Sequence, residues 1–507
     1  MKKSITLIGA GINGLVCANY LQRAGFKVTI LERKERVGGA CTFDYFIDGK
    51  KKYKYAKGAS VLGFMQDFVF KETGLSKTLD VYSPQHPEVV YFSSEETSLH
   101  CHEYHHDAAE KEFRENWNEH GDVKAFGRDL ARVREFLIKG YKDARVPTLE
   151  EARKELGNEL TARWISGSAR DLLDHYFTSP KTKVFHSIYV TESGPISLDA
   201  PYSAFNIPLM SSGTVFGGSW GFVKGGIWNV VLSLARINKK LGVKIVTDAK
   251  TTKVHADQVT YRKNGKNYTL KTDYVVFATD PLTAAKLTRN EKLVKTVSGK
   301  ELLGTSGKAV LFFKKPVTWK GRKHNEKDFD MAFKFIMETE TMDEFNENSQ
   351  AVVRRKKDFA PGYLEIYSEG AGLRRLGTKL NHERVAVFFK NLSIAKNGKD
   401  MKSVKKHVEE LVLAIINNKE DFIGSTIFTP KDIKEFFYFP EGNIDHVELS
   451  SGQTFFDRNY SPNPKKSFYQ FGQDENTYYC GAGSYPCGSV AGTPGYMCAQ
   501  QIIKSSQ

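Results

Sequence analysis

Ser4-Ile5-Thr6-Leu7-Ile8-Gly9-Ala10-Gly11-Ile12-Asn13-Gly14 is a short β-rich run that passes directly into the pattern G-x-G-x-x-G. The spacing predicts a strand over 4–8, a glycine turn over 9–14 and a helix over 15–24 that Gly25 ends. A second strand over 27–31 closes on an acid, Glu32. Together these make one βαβ unit of about 30 residues. The glycines differ in what they permit. Gly9 allows the tight turn, Gly11 lets a pyrophosphate come close to the backbone, and Gly14 lets the helix lie close on the strand. The free amides at the helix N-terminus then face the phosphates. Glu32, 18 residues beyond Gly14, stands where a carboxylate accepts hydrogen bonds from ribose hydroxyls.

The rest of the chain bounds what this unit can belong to. With 507 residues, 40% apolar and 26% charged, it is too long for one simple core and too ordinary in composition for a disordered or fibrous chain. The net charge of +15 favours anionic partners, yet the basic residues are scattered in short groups such as Lys50 to Lys52 and Arg354 to Lys357. Phosphate tracking needs a concentrated stripe, so nucleic acid is not an expected partner. Dispersed lysines do add up near an anionic bilayer, which makes peripheral membrane contact an expectation. The six cysteines show no C-x-x-C and no repeated spacing, so a reducing, cytoplasmic setting is expected rather than a disulfide framework. The N-terminal run reads as a strand, not a signal peptide, and no window approaches 18 uninterrupted apolar residues.

Beyond the first unit the pattern alternates. Residues 65–200 read as polar, helix-rich and aromatic, an insertion over the first domain. Gly217 to Gly226 leads into an apolar helix over 229–241, then strands at 244–247, 251–255, 259–262 and 274–278. Further strands are expected at 309–313, 332–337, 363–367 and 385–389, and an amphipathic helix over 401–418 places Val404, Val408, Leu411 and Ile415 on one face. This predicts an α/β fold: a Rossmann-type dinucleotide domain, discontinuous in sequence, and a second α+β domain on a mainly antiparallel sheet.

Glu32-Arg33, followed by Gly38-Gly39-Ala40, extends the fingerprint by a second glycine pair that lets the chain run back along a pyrophosphate. Here the chain resembles the FAD-binding amine oxidase and phytoene desaturase superfamily. The stretch Gly481-Ala482-Gly483-Ser484-Tyr485-Pro486-Cys487-Gly488-Ser489-Val490-Ala491-Gly492 looks like the closing motif of phytoene desaturase-like proteins, with Tyr485 and Cys487 as departures. Phe222 to Gly226, Thr429 to Ile433 and Gly442 to His446 also resemble this subgroup, including the pyridine nucleotide-disulfide oxidoreductase domain-containing protein 2 group. Further departures are Ala40 and Ala56-Lys57-Gly58-Ala59.

The resemblance implies non-covalent FAD, held by Gly9, Ala10, Gly11, Asn13, Gly14, Glu32, Arg33, Gly38, Gly39, Ala40, Val254, Gly483, Gly488, Val490 and Gly492. It assigns residues 1–65, 205–290 and 468–507 to the FAD-binding domain, and 66–204 and 291–467 to a substrate or cap domain. It also carries over to Lys308, at the start of a strand, the catalytic role of holding a water near flavin N5. The expected activity is dehydrogenation, a hydride passing from a C–C bond of an apolar polyene or isoprenoid substrate to flavin N5. The electron acceptor that follows, oxygen, quinone or another, and the oligomeric state have no signature here.

Three other readings stay open. One is an amine or amino-acid oxidase, for which Tyr478, Tyr479 and Arg458 would supply an aromatic pair and a carboxylate clamp. The second is a flavin-dependent double-bond isomerase. The third is a non-catalytic flavoprotein acting as an interaction partner, supported by Tyr485 and Cys487. His100 to His106 invites a metal, but strand alternation splits its ligands between two faces, so no metal is expected.

Overall fold

A computed structural model describes residues 2–84, 88–92, 98–101, 106–255, 257–321, 328–394 and 401–506. The opening segment forms β1 (Ser4–Ile8), α1 (Ile12–Arg23) and β2 (Lys27–Leu31). These strands sit in a wholly parallel five-stranded sheet whose order is Thr477–Tyr479, Tyr274–Phe277, β1, β2, Lys244–Val246. A parallel sheet must be covered on both faces, and the strand Tyr274–Phe277 is accordingly buried at every position. α1 is buried from Asn13 to Leu21 because the helices Trp228–Lys240 and Thr493–Ser505 pack against it. That contact is close: a Cβ on Gly495 would stand 2.1 Å from the Asn13 carbonyl oxygen.

Three antiparallel strands, Lys250–His255, Gln258–Lys263 and Lys266–Lys271, form a small separate sheet. The largest sheet has seven strands in the order Phe422–Phe428, Gly307–Phe313, Glu383–Phe389, Tyr363–Ser368, Phe333–Met337, Glu88–Phe92, Ser98–Cys101. All its pairings are antiparallel except that of Phe333–Met337 with Glu88–Phe92. Side chains alternate across it. Ala309, Leu311, Leu364 and Ile366 pack into one core with Val404, Val408 and Val412 of the helix Met401–Ala414. Lys308, Glu365 and Phe388 project from the other face.

Two details differ from the sequence reading. The helix expected to run to Asn418 stops at Ala414, since Ile416 pairs with Trp319 and the Asn417 amide donates to Thr318 at 2.8 Å. The stretch 65–200, read as helical, also contributes Glu88–Phe92 and Ser98–Cys101 to the large sheet. The run Glu-Val-Val-Tyr-Phe carried that strand signal in its β-branched and aromatic residues. His100 and Cys101 fall in the second of these strands, while residues 102–105 of the histidine-rich group lie outside the described residues. Among the described residues no helix is long and apolar enough to cross a membrane.

Candidate functional site

The tip of the βαβ unit is built for an anion. Gly9 has φ +106°, which opens the turn, and a Cβ on Gly14 would stand 2.3 Å from the Gly9 carbonyl oxygen and 2.9 Å from Ala278 Cβ. Gly11 is the N-cap of α1 and no side chain caps its first turn, so the free amides face outward. Glu32 accepts from the Ala10 amide through Oε2 and from the Lys34 amide through Oε1, each at 2.9 Å. Both oxygens keep further acceptor capacity for hydroxyls.

These groups form one wall of a cleft of about 550 Å³, a size suited to a cofactor. Gly9, Gly11, Asn13, Glu32, Arg33, Gly38, Gly39, Ala40, Gly488 and Val490 line it. Five other expected residues do not. Ala10 and Gly14 lie one layer behind: the Ala10 carbonyl accepts from Gly38 at 2.9 Å, and Gly14 provides the close helix–strand contact. Gly483 packs beneath the Tyr460 and Tyr479 hydroxyls, and Gly492, at φ +69°, caps the terminal helix against Val16. Val254 points into the core with Val259 and Tyr261, and the same strand meets the cleft through Lys250, Thr251 and Thr252 instead. The alternation of the strand had to be phased correctly to choose among these positions, and sequence alone did not phase it.

Several cleft residues had no signal in the fingerprint. Lys34, Lys250 and Lys286 join Arg33 in the wall against the acids Glu32 and Asp280, an excess of positive charge that suits a pyrophosphate. Burial lowers the Lys34 ammonium to about 8. Ser489 and Val490 have φ of 51° and 61°; for β-branched Val490 this is a strained backbone held against the cleft. His446 also lines the wall, and burial lowers its imidazole to about 3, so it is neutral. Asn13 Oδ1 and His446 Nδ1 are buried without a hydrogen-bond partner. Unpartnered polar atoms beside a glycine-rich, cationic cleft fit a polar, anionic dinucleotide such as FAD.

Beyond Ala40, Phe437, Phe439, Ile444, Ser489 and Val490, which line both spaces, the cleft adjoins a smaller cavity of about 140 Å³. Val61, Trp220, Phe388 and Ile433 make its surface largely apolar, and Lys57, Ser60, Glu192, Lys308, Tyr367 and Ser489 are its polar lining. Lys308 is 6% exposed, and burial lowers its ammonium to about 8. Its three N–H groups are all engaged, with the carbonyls of Ala56 and Gly58 and the Ser60 hydroxyl. Lys308 thus pins the segment 56–60 to the large sheet, a positioning part, while its side chain lines the cavity wall.

The residues offered for an amine oxidase are also placed elsewhere. Tyr478 and Tyr479 are buried in the parallel sheet, and Arg458, 1% exposed, donates to the carbonyls of Asp445, Val447, Glu448, Gln453 and Ala482. Tyr485 and Cys487 line neither cavity: Tyr485 packs in the core near Tyr141, Phe455 and Phe468. Spacing did not foresee that Cys17, Cys480 and Cys498 converge, their sulfurs within 4.8 Å of one another in the core behind the cleft.

The comparisons agree with this geometry. The pattern of the family "Flavin containing amine oxidoreductase" matches residues 12–353. The chain is 24% identical over 566 residues to a Rattus norvegicus protein named pyridine nucleotide-disulfide oxidoreductase domain-containing protein 2, covering 98% of this chain and 93% of that one. It is 26% identical over 280 residues to a 4,4'-diapophytoene desaturase of Staphylococcus haemolyticus, covering 52% and 51% of the two chains. The fold is that of cyclohexylamine oxidase from Brevibacterium oxydans, at TM-score 0.61 and 13% identity, covering 100% of this chain and 98% of that one. A family match over most of the chain, on a fold whose cleft suits the cofactor, means that this protein belongs to the flavin containing amine oxidoreductases and is an FAD-dependent oxidoreductase.

Proposed function

We propose that the protein is a dehydrogenase of the desaturase type, which takes a hydride from a C–C bond of an apolar polyene or isoprenoid substrate. The observation that carries this reading is the apolar cavity adjoining the nucleotide cleft across Phe437, Phe439 and Ile444. Flavin, when bound, supplies the hydride acceptor. The chain's own part is to bind and orient. Glu32 and the amides of α1 fix the dinucleotide end, the aromatic wall keeps water from the reacting carbon, and Trp220, Val61 and Phe388 hold a hydrocarbon without asking for a polar handle. Relatives named as desaturases support the same reading.

A second reading, oxidation of an amine or amino acid, is favoured by one feature, the Glu192 carboxyl in the cavity wall, which would attract an ammonium. The test is the absorbance of the FAD-loaded protein without oxygen, mixed first with micelle-dispersed polyenes and isoprenoids, then with soluble amines and amino acids. Bleaching by the first panel supports the desaturase. Bleaching by the second alone replaces it with the oxidase. Bound flavin bleached by neither leaves the isomerase and the non-catalytic flavoprotein.

A further inference from the structure

Lys308, Phe388 and Glu365 stand in one row across three neighbouring strands, because Phe388 pairs with Lys308 on one side and with Glu365 on the other. Cross-strand partners share a face, so this row looks away from the aliphatic core of the large sheet. Glu192, at the end of the helix Pro180–Thr191, lines one cavity with Lys308 and Phe388 of that row. The Tyr363 hydroxyl donates to its Oε2 at 3.1 Å, and the Lys390 ammonium donates to its backbone carbonyl and, at 3.0 Å, to the Ser306 hydroxyl.

We propose that Glu192 and Glu365 hold one proton between them and serve as the acid–base pair of this site, Glu192 acting as the catalytic base and Glu365 as its positioning partner. The inference rests on the dehydrogenase reading above. Removing a hydride from one carbon of a CH–CH unit leaves the neighbouring carbon to lose a proton. The electron pair of that second C–H bond becomes the new π bond and a Glu192 carboxylate oxygen forms the O–H bond, while the hydride would pass to the flavin, when bound, as the two-electron acceptor. Of the two carboxyls, Glu192 is the one that lines the cavity.

Charge counting around the pair supports shared protonation. The titratable groups around it are Lys390, Lys308, Lys57, Asp445, Tyr363 and Tyr367, and Lys57 is paired with Asp44 at 2.8 Å. Lys308 is engaged on Ala56, Gly58 and Ser60, and Asp445 is satisfied by the Gly488 amide at 2.6 Å and the Ser193 hydroxyl. Lys390 is then the one neighbouring ammonium, among the described residues, left to balance two carboxyls. Glu365 Oε2 is buried without a hydrogen-bond partner, a position that tolerates a protonated oxygen far better than an anionic one. Burial raises both carboxyls, and the charge of Glu192 raises Glu365 further.

The test uses FAD-loaded protein and the variants Glu192→Gln and Glu365→Gln, with flavin content and flavin spectrum confirming that each still folds. Infrared spectra at neutral pH are expected to contain the carbonyl band of a protonated carboxyl that at least one variant loses. Flavin reduction by a substrate that bleaches the wild type is expected to speed up as pH rises, and Glu192→Gln to slow it about 100-fold or more and flatten that dependence. Reduction at the wild-type rate and pH profile in Glu192→Gln overturns the proposal. So does the absence of a carboxyl band lost in either variant. The infrared result does not need a substrate, so failure of the dehydrogenase reading, in which no panel bleaches the wild type, is distinguishable from failure of the pair.

Discussion

The carboxylate of Glu32 reaches back across the tip of the βαβ unit to accept from the amide of Ala10 at 2.9 Å, so the group expected to hold a ribose is itself held by the glycine turn. Hydrogen bonds to a charged acceptor are worth about 1.5–3 kcal/mol each. Glu32→Ala is therefore expected to raise the Kd for FAD by about 10- to 150-fold in a fluorescence titration of the apoprotein. An unchanged Kd would show that Glu32 serves only the turn.

Gly11 and Gly14 part company under the same substitution. A Cβ on Gly11 meets nothing within 4 Å, whereas one on Gly14 meets the Gly9 carbonyl at 2.3 Å. Gly11→Ala should keep the melting temperature of the apoprotein while crowding the pyrophosphate and weakening FAD binding. Gly14→Ala should lose about 3 kcal/mol of stability or more, since a backbone carbonyl cannot move aside as a side chain can. Equal melting temperatures for the two apoproteins would contradict this assignment.

Lys308 predicts a pH dependence with a definite sign. Its folded value is about 8 and its ordinary value 10.5, so between these the unfolded chain binds the proton and the folded one does not. Stability contributed by this group therefore rises with pH across that window, and below it the cost of burying the ammonium is fully present. Relative to Lys308→Met, the wild type should gain on the order of 3 kcal/mol from pH 8 to 10.5. Parallel stability curves for the two proteins would refute it.

Arg458 separates geometry from charge. Its guanidinium serves five backbone carbonyls, and a lysine has only three donors on one nitrogen. Arg458→Lys should keep the charge yet cost about 3 kcal/mol, from carbonyls left buried without partners. A variant that melts with the wild type would return Arg458 to the residues free to meet a substrate.

The dinucleotide unit was legible in the sequence because each of its requirements is local: a turn, a helix start and an acid at fixed offsets along 4–32. Gly9, Gly11 and Glu32 needed no distant neighbour to be read. The inward turn of the Val254 side chain was not legible for the opposite reason, since a strand only says which residues alternate, and the partner sheet decides which set turns inward. Lys308 was found at the start of its strand, but the three acceptors that engage it lie about 250 residues away in the chain. Glu192 and Glu365 carry no motif at all. They meet because a helix end and a sheet face converge, a long-range fact with no trace in spacing.

The sheet order has a consequence for how the chain is made. β1 must wait for Tyr274–Phe277, and that strand for Thr477–Tyr479, before the parallel sheet is complete, and α1 is covered only by Trp228–Lys240 until Thr493–Ser505 arrives. At typical rates of synthesis the interval between β2 and the last strand is on the order of half a minute or more. During that time a nascent helix that the finished fold buries from Asn13 to Leu21, and two strand edges, stand exposed on the ribosome. Chaperone capture is thus expected early, and the cofactor can be received only once residues up to Val490 have been made.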